Sequence, residues 1–328
     1  MKSGIRIAVA GLAALAAGLL TSVTATSVTA TAQAATPTYT TISKQSAADP
    51  GFSKFGSSYY VYATGGGDGI LPIFRGSSLT KGFAKVGNAY TSAPAGLNNL
   101  WAPHVVARDG RFFMFFTAAK GSAPHCVYWA VASSPTGPFS TPHLATCGNA
   151  AGWEAIDPTV YETSRGVSYL VWKRGHYHPG FPNGTFQIRA RKLTFSGSSV
   201  TFTGGNNPSL ILAQIPDGTV MEAPSLVAHG GKVWLFVSRG RFDTNAYHTD
   251  AWVAKSFGPG FTYSNHVMAT GQGYGYGPGG AEVITDTGGT VRIAYHVWEN
   301  SKPTPQAKGT RIVRVATVTW PGGKPHVS

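Results

Sequence analysis

One unit recurs five times along this chain, with starts at residues 49, 102, 157, 223 and 282 and spacings of 53, 55, 66 and 59 residues. Asp49-Pro50 leads to Tyr60-Val61-Tyr62-Ala63-Thr64, and Ala102-Pro103 to Phe113-Met114-Phe115-Phe116-Thr117. Asp157-Pro158 leads to Tyr169-Leu170-Val171-Trp172, Ala223-Pro224 to Trp234-Leu235-Phe236-Val237-Ser238, and Glu282-Val283 to Ile293-Ala294-Tyr295-His296. A unit of this length has room for four antiparallel strands joined by hairpins. Such a sheet cannot bury both of its faces alone, whereas five arranged radially cover one another. The expected fold is therefore all-β, a five-bladed β-propeller. A two-sheet sandwich does not account for the recurring unit.

The local signals agree. Short β-branched and aromatic runs are separated by Asp109-Gly110, Gly230-Gly231 and Gly288-Gly289, and the 42 glycines and 21 prolines suit a chain that turns often. No stretch after the N-terminus has helical periodicity. Lys2 and Arg6, an uncharged run from Ile7 to Leu20 and Ala32-Gln33-Ala34 read as a signal peptide over 1–34. Residues 35–46 read as a flexible lead-in and 47–328 as the propeller. No segment is expected to stay in a membrane.

Export implies an oxidising compartment, so Cys126 and Cys147 are expected to form one disulfide. The formal charge is +13, and without Lys2 and Arg6 there are 24 basic against 13 acidic residues. The basic residues are scattered and carry no nucleic-acid motif, so a nucleic-acid partner is not expected. The reading is a secreted monomer.

Thirteen acidic residues make elimination practical. Asp68, Asp109, Asp217 and Asp286 stand beside or near glycine as turn formers. Glu162 lies in a turn-like stretch, Asp243 and Asp250 flank a polar loop after the fourth inner strand, and Glu299 falls in a polar loop near the C-terminal strands. Asp49, Asp157, Glu222, Glu154 and Glu282 remain. Asp49 and Asp157 precede proline within the repeat, and Glu222 stands one residue earlier in its unit. Inner strands of a propeller run along its axis, so these three positions are expected to converge at one mouth of the channel.

The ordered set Ala48-Asp49-Pro50, Leu100-Trp101-Ala102-Pro103-His104-Val105, Ser133-Ser134-Pro135-Thr136-Gly137-Pro138-Phe139, Ile156-Asp157-Pro158, Met221-Glu222-Ala223-Pro224-Ser225, Gly277-Pro278-Gly279-Gly280 and Tyr295-His296-Val297-Trp298 resembles glycoside hydrolase family 43. The resemblance implies a hydrolase with Asp49 as general base, Glu222 as general acid and Asp157 tuning Glu222. It also implies substrate contacts from Trp101, His296 and Arg311, with Arg314 competing with Arg311 for that alignment. For Trp101 and His296 a plain core role stands beside the functional one. His296 is the candidate neighbour of an axial metal ion, calcium, although no cofactor is expected to be required. Gly280 stands where family members often carry histidine, which marks a variant subgroup.

Leu170-Val171-Trp172-Lys173 and the Tyr295-to-Trp298 segment look most like arabinan-directed members. The expected activity is inverting hydrolysis of α-L-arabinofuranosyl linkages of arabinan or arabinoxylan, exo or endo. A β-xylosidase of the same fold and a non-catalytic carbohydrate-binding propeller are the alternatives. The chemistry suits carboxylates: one protonates the leaving oxygen, and the other activates water on the opposite face at roughly 6.5–9.5 Å. His176-Tyr177-His178 has metal-ligand types without further ligands at clear spacing, and Asn183-Gly184-Thr185 fits a glycosylation sequon.

Overall fold

The computed structural model describes residues 37–42, 46–65, 70–148, 153–175, 186–204, 209–213, 218–299 and 309–328. The expected signal peptide, Asp68, Asp217, His176–His178 and the Asn183 sequon lie outside the described residues.

Strand β1 is Tyr39–Thr41. Blade one comprises β2 (Ala48–Phe55), β3 (Ser58–Thr64), β4 (Ile70–Gly76) and β5 (Ala84–Tyr90). Blade two comprises β6 (Leu97–Arg108), β7 (Arg111–Lys120), β8 (Cys126–Ala132) and β9 (His143–Cys147). Blade three comprises β10 (Glu154–Glu162), β11 (Ser168–Gly175), β12 (Phe186–Ser196), β13 (Ser199–Phe202) and β14 (Ser209–Leu212). Blade four comprises β15 (Met221–His229), β16 (Lys232–Arg239), β17 (His248–Ala254) and β18 (Thr262–Met268). Blade five comprises β19 (Tyr276–Thr285), β20 (Val291–Trp298), β21 (Arg311–Thr319) and β22 (His326–Val327). The innermost strands β2, β6, β10, β15 and β19 pack each on the next, and β19 packs on β2, which closes the ring.

The lead-in expectation needs a correction. Tyr39–Thr41 pairs antiparallel with β21 and completes blade five, so that blade joins both ends of the propeller. Three residues are too few for period-two alternation to be visible, which hid this strand in the sequence. Ile42, directly after it, is buried and donates its amide to the Val313 carbonyl at 2.8 Å.

The hydrophobic core is divided into five parts, one between each pair of neighbouring blades. This division explains the continuous apolar runs. In β7, Phe113 and Phe115 face blade three, while Met114 and Phe116 face blade one. In β16, Leu235 and Val237 join blade three, while Trp234 and Phe236 join blade five. Side chains alternate across the strand, but both faces are covered. Each buried Phe, Leu or Val contributes about 1.5–3 kcal/mol, so the blade contacts hold the ring.

All five inner strands carry the same irregularity. Ala48 pairs with Thr64, Trp101 with Thr117, Ile156 with Lys173, Glu222 with Ser238 and Gly279 with His296, and in each blade the register then shifts by one residue. The bulged pairs are Asp49-Pro50, Ala102-Pro103, Asp157-Pro158, Ala223-Pro224 and Gly280-Ala281. Proline is tolerated there because a bulge needs no ladder donor from it. The first member of each pair is left-handed, with φ of 47°, 46°, 54°, 50° and 57°. Blade five is thus in register at Gly280, two residues before the Glu282 start read from the sequence. Gly280-Ala281 lacks the proline that marked the other four bulges.

Candidate active site

The bulge sets the site. A left-handed residue in each inner strand turns its side chain or backbone toward the axis, and such strain of about 1–3 kcal/mol per residue is characteristic of functional positions. The amide of each left-handed residue is satisfied from a neighbouring blade. Ala102 donates to Thr64 Oγ1 at 2.8 Å, Asp157 to Thr117 Oγ1 at 3.0 Å, Gly280 to Ser238 Oγ at 2.8 Å and Asp49 to His296 Nδ1 at 3.1 Å. Lys173 occupies the equivalent place in blade three and breaks the pattern. The Ala223 amide goes instead to Asp157 Oδ2 at 3.0 Å, and Lys173 Nζ reaches Glu222 Oε2 at 3.0 Å.

Asp49, Asp157, Glu222, Trp101 and Arg311 line one cavity of about 250 Å³, together with Thr64, Ile156, Phe242 and Tyr247. A second cavity of about 410 Å³ shares Trp101, Ile156, Glu222 and Phe242 with the first and adds Glu154, Lys173, Arg241 and Asp243. Glu222 therefore stands where two adjoining hollows meet. Arg311 is the arginine at this site. Arg314 lies over the Tyr39 ring and donates to the Tyr274 carbonyl, away from both hollows.

Asp49 and the Asp157–Glu222 pair have opposite surroundings. Asp49 accepts from Thr64 Oγ1 at 2.8 Å and from Arg311 Nη1 at 3.1 Å. Burial works against its charge, but the Arg311 guanidinium, helped by the Thr64 hydroxyl, outweighs it and holds the carboxyl well below the ordinary value. Its side chain is still 23% exposed, enough for water to touch it. Asp157 has no such partner. Burial, then the Glu222 charge, push its carboxyl up to about 8, against the opposing pull of Lys173. Glu222 is gripped from two sides, by Lys173 and by the Tyr247 hydroxyl at 3.0 Å. Lys173 is buried, yet Glu222 and Asp157 keep it charged, its ammonium value being raised in spite of burial.

Trp101 is half-buried at the wall of both hollows and stacks on the His125 ring at 4.0 Å, with His125 paired to Glu154 at 2.7 Å. Phe242 projects over Arg311, with the guanidinium 4.9 Å from its ring centre. His296 is fully buried, 5.7 Å from the parallel Tyr247 ring. Because its Nδ1 accepts the Asp49 amide, the ring hydrogen sits on Nε2. Burial depresses its ionisation, so a neutral imidazole supports Asp49.

The axial calcium expectation does not fit these residues. Calcium takes six to eight oxygen ligands. His296 offers nitrogen, and its Nδ1 is engaged. Both Asp49 oxygens are hydrogen-bonded, and Glu282 is occupied by Ser225 Oγ at 3.0 Å, Thr159 Oγ1 at 3.4 Å and His104 Nδ1 at 3.2 Å. The axial hollow among the bulges is about 30 Å³, room for a water or two rather than a hydrated cation.

Other acidic residues fall as follows. Asp109 and Asp286 make turns, the Asp286 carboxylate accepting the Gly288 and Thr290 amides. Glu162 ends β10 and pairs with Arg108. Asp243 pairs with Arg241 at the second hollow. Asp250, on the far flank of the same polar loop, is a fully buried member of β17. The cysteines pair as expected, tying β8 to β9. Lys173 and Thr64 enter the sequence reading only as members of longer segments, with no role at the site, and Tyr247 and Phe242 do not enter it. A lysine after an apolar run ordinarily marks a strand end in solvent, and only the ring register turns this one inward.

A five-fold ring of bulged strands with three carboxylates around a sugar-sized hollow defines a propeller of the glycosidase kind. The chain belongs to glycosyl hydrolases family 43, whose model matches residues 39–325. It is 26% identical over 306 residues to an extracellular exo-α-(1→5)-L-arabinofuranosidase of Streptomyces avermitilis, covering 86% of this chain and 61% of that protein. The chain thus spans about three fifths of the length of that relative. It is 26% identical over 261 residues to an arabinan endo-1,5-α-L-arabinosidase C of Emericella nidulans, covering 76% of this chain and 74% of the other. Among solved structures, a thermostable family-43 glycoside hydrolase superposes with a TM-score of 0.73 at 21% identity, covering 87% of this chain and 93% of that one. An endo-arabinase from Bacteroides thetaiotaomicron gives 0.66 at 20%, covering 88% and 99%. These likenesses establish the fold.

Proposed function

We propose that this chain is a secreted, inverting glycoside hydrolase that cleaves α-L-arabinofuranosyl linkages of arabinan or arabinoxylan. The observation that carries the reading is the unequal furnishing of the carboxylates around one hollow. Asp49 is held ionised by Arg311, while burial and the Glu222 charge keep a proton on Asp157 up to about 8. The terminal arabinosyl ring occupies the hollow of Asp49, Asp157 and Arg311, and the leaving group occupies the hollow of Glu154, Lys173 and Arg241. Glu222, at their junction, protonates the departing oxygen, and Asp49 takes a proton from water attacking the anomeric carbon. Trp101 and Phe242 supply apolar faces for the sugar rings. The names of the Streptomyces and Emericella relatives support the sugar and the extracellular setting.

The test is a product assay on arabinan, arabinoxylan and xylan, with NMR of the anomer first released. Inverted arabinose or arabino-oligosaccharide is expected. Retained configuration, or xylose as the main product, overturns the reading. Glu222→Gln is expected to lose about 10²–10⁴-fold in turnover on unactivated polymer while still binding it.

A further inference from the structure

A second cluster of ligand-type side chains lies on the outer half of blade four, and none of its members lines either hollow of the carboxylate site. His248 and Asp250 are two residues apart on β17, so they share one face of the sheet. His266 on β18 is the direct cross-strand partner of Asp250. The ligand atoms of the three all lie within 4.8 Å of one another.

The tautomer of His248 is fixed by its neighbour. Nδ1 is 2.7 Å from the Ala246 carbonyl, which only accepts, so the hydrogen is on Nδ1 and Nε2 presents a lone pair. That lone pair faces Asp250 Oδ2, itself an acceptor, at 3.5 Å. Both atoms are buried, and neither has a hydrogen-bond partner among the described residues. Asp250 is 0% exposed. Its other oxygen, Oδ1, contacts His266 Nδ1. Two acceptors aimed at one point inside the protein call for a positive centre between them, either a proton on Nε2, which the Asp250 carboxylate favours, or a bound cation. Arg239 Nη1 lies 3.5 Å from Asp250 Oδ2 and acts as the outer partner of the carboxylate.

We infer that His248 Nε2, the Asp250 carboxylate and His266 Nδ1 form a binding site for a divalent transition-metal ion of the zinc type. Two imidazole nitrogens and one carboxylate suit zinc and its neighbours and disfavour calcium and magnesium. The two rings have centroids 5.0 Å apart and planes at 74°. Two imidazoles on one tetrahedral ion, with bonds of about 2 Å, place their centres about 5 Å apart. The His248 Nδ1–carbonyl hydrogen bond is the outer contact that ordinarily orients a ligating histidine. The His266 side chain is 59% exposed, which leaves an entry path and a position for water. The ion would pin the outermost strand of the blade to its neighbour.

The test is isothermal titration of untagged full-length protein with Zn²⁺ at pH 7.5, followed by thermal melts with and without the ion. One-to-one binding is expected, with a rise of several degrees in melting temperature at saturation and no response to Ca²⁺ or Mg²⁺. His266→Gln removes the exposed ligand and leaves the buried pair intact, so it is expected to fold and to bind at least tenfold more weakly. Asp250→Asn is expected to abolish the response. If Zn²⁺ does not bind the wild type, the positive centre is a proton shared by His248 and Asp250, and the inference fails. If His266→Gln binds as tightly as the wild type, the ion sits on other histidines, and the inference fails equally.

Discussion

Glu222 and Lys173 pull Asp157 in opposite directions, and that contest sets the alkaline behaviour expected of the site. Asp157 binds its proton up to about 8 because burial and the Glu222 charge both oppose ionisation, while Lys173, 3.0 Å from Glu222, opposes that rise. Activity that depends on this proton is therefore expected to fall as pH rises through about 8. Asp157→Asn removes the titrating group, so this alkaline limb is expected to vanish from the kcat/KM profile. Lys173→Met removes the opposing charge and is expected to move the limb up, by about 1–2 pH units. Both effects are read from pH profiles on arabinan, and a Lys173 that merely fills space would leave the limb where it is. The same groups give a stability signature. The folded-state value of Asp157 lies above its unfolded value of 3.8, so its contribution is fully present below that value and is lost as pH rises through about 8. Asp49 behaves oppositely, contributing above 3.8 and losing that contribution only in strong acid. Thermal melts of wild type and Asp157→Asn between pH 4 and 9 check this, the variant being expected to show the flatter curve.

At the scale of the strand, the bulge is the device that turns a repeat into a site. Three of its five left-handed positions are not aspartate, and each shows what the backbone alone requires. Ala102 and Ala223 adopt φ near 50°, so a β-carbon is tolerated by the conformation itself. At Gly280 the obstacle is different. A β-carbon there would stand 2.5 Å from His296 Nδ1 and 3.2 Å from Asp49 Oδ1. Gly280→Ala is thus expected to displace the imidazole that receives the Asp49 amide, costing about 1–3 kcal/mol in stability by overpacking and lowering kcat more than KM. Denaturant melts and steady-state kinetics measure both. This geometry also explains what was legible in the sequence. Asp49, Asp157 and Glu222 could be found because proline after the bulge marks four of the five inner strands. The fifth start was misplaced by two residues because Gly280-Ala281 carries no such mark. The caps Thr64, Thr117, Ser238 and His296 end the apolar runs of the repeat, but their partners are supplied by the next blade. Tyr247 and Phe242 come from the connection before β17, where no repeat pattern exists. Spacing along one chain reports local structure, while these contacts cross blade boundaries of more than a hundred residues in the case of His296 and Asp49.

At the scale of the whole molecule, a ring is only as strong as its seam. Blade five is assembled from β19, β20 and β21 near the C-terminus and β1 near the N-terminus. The contacts of Asp49 cross the same boundary, since Arg311 and His296 belong to blade five and Asp49 to blade one. The disulfide offers a contrast. Cys126–Cys147 closes a 21-residue separation within blade two. Replacing both cysteines by alanine is expected to cost about 3 kcal/mol through the loop entropy of the unfolded chain. It should leave kcat nearly unchanged, because no blade boundary is opened. Removing residues through 42 takes away β1, the Tyr39 ring under Arg314 and the buried Ile42, and leaves Arg314 to Ala316 of β21 without their strand partner, β22 still pairing Val318 and Thr319. Such a form is expected to melt roughly 5–10 °C lower than one beginning at residue 37. Its kcat/KM on arabinan is expected to fall at least tenfold, because Asp49 and Arg311 lose their fixed separation. Calorimetry and kinetics on the two forms side by side separate the outcomes. A truncated form that melts lower but turns over normally would mean that the inner strands alone hold the seam, and that the packing of β19 on β2, rather than the N-terminal strand, positions Asp49.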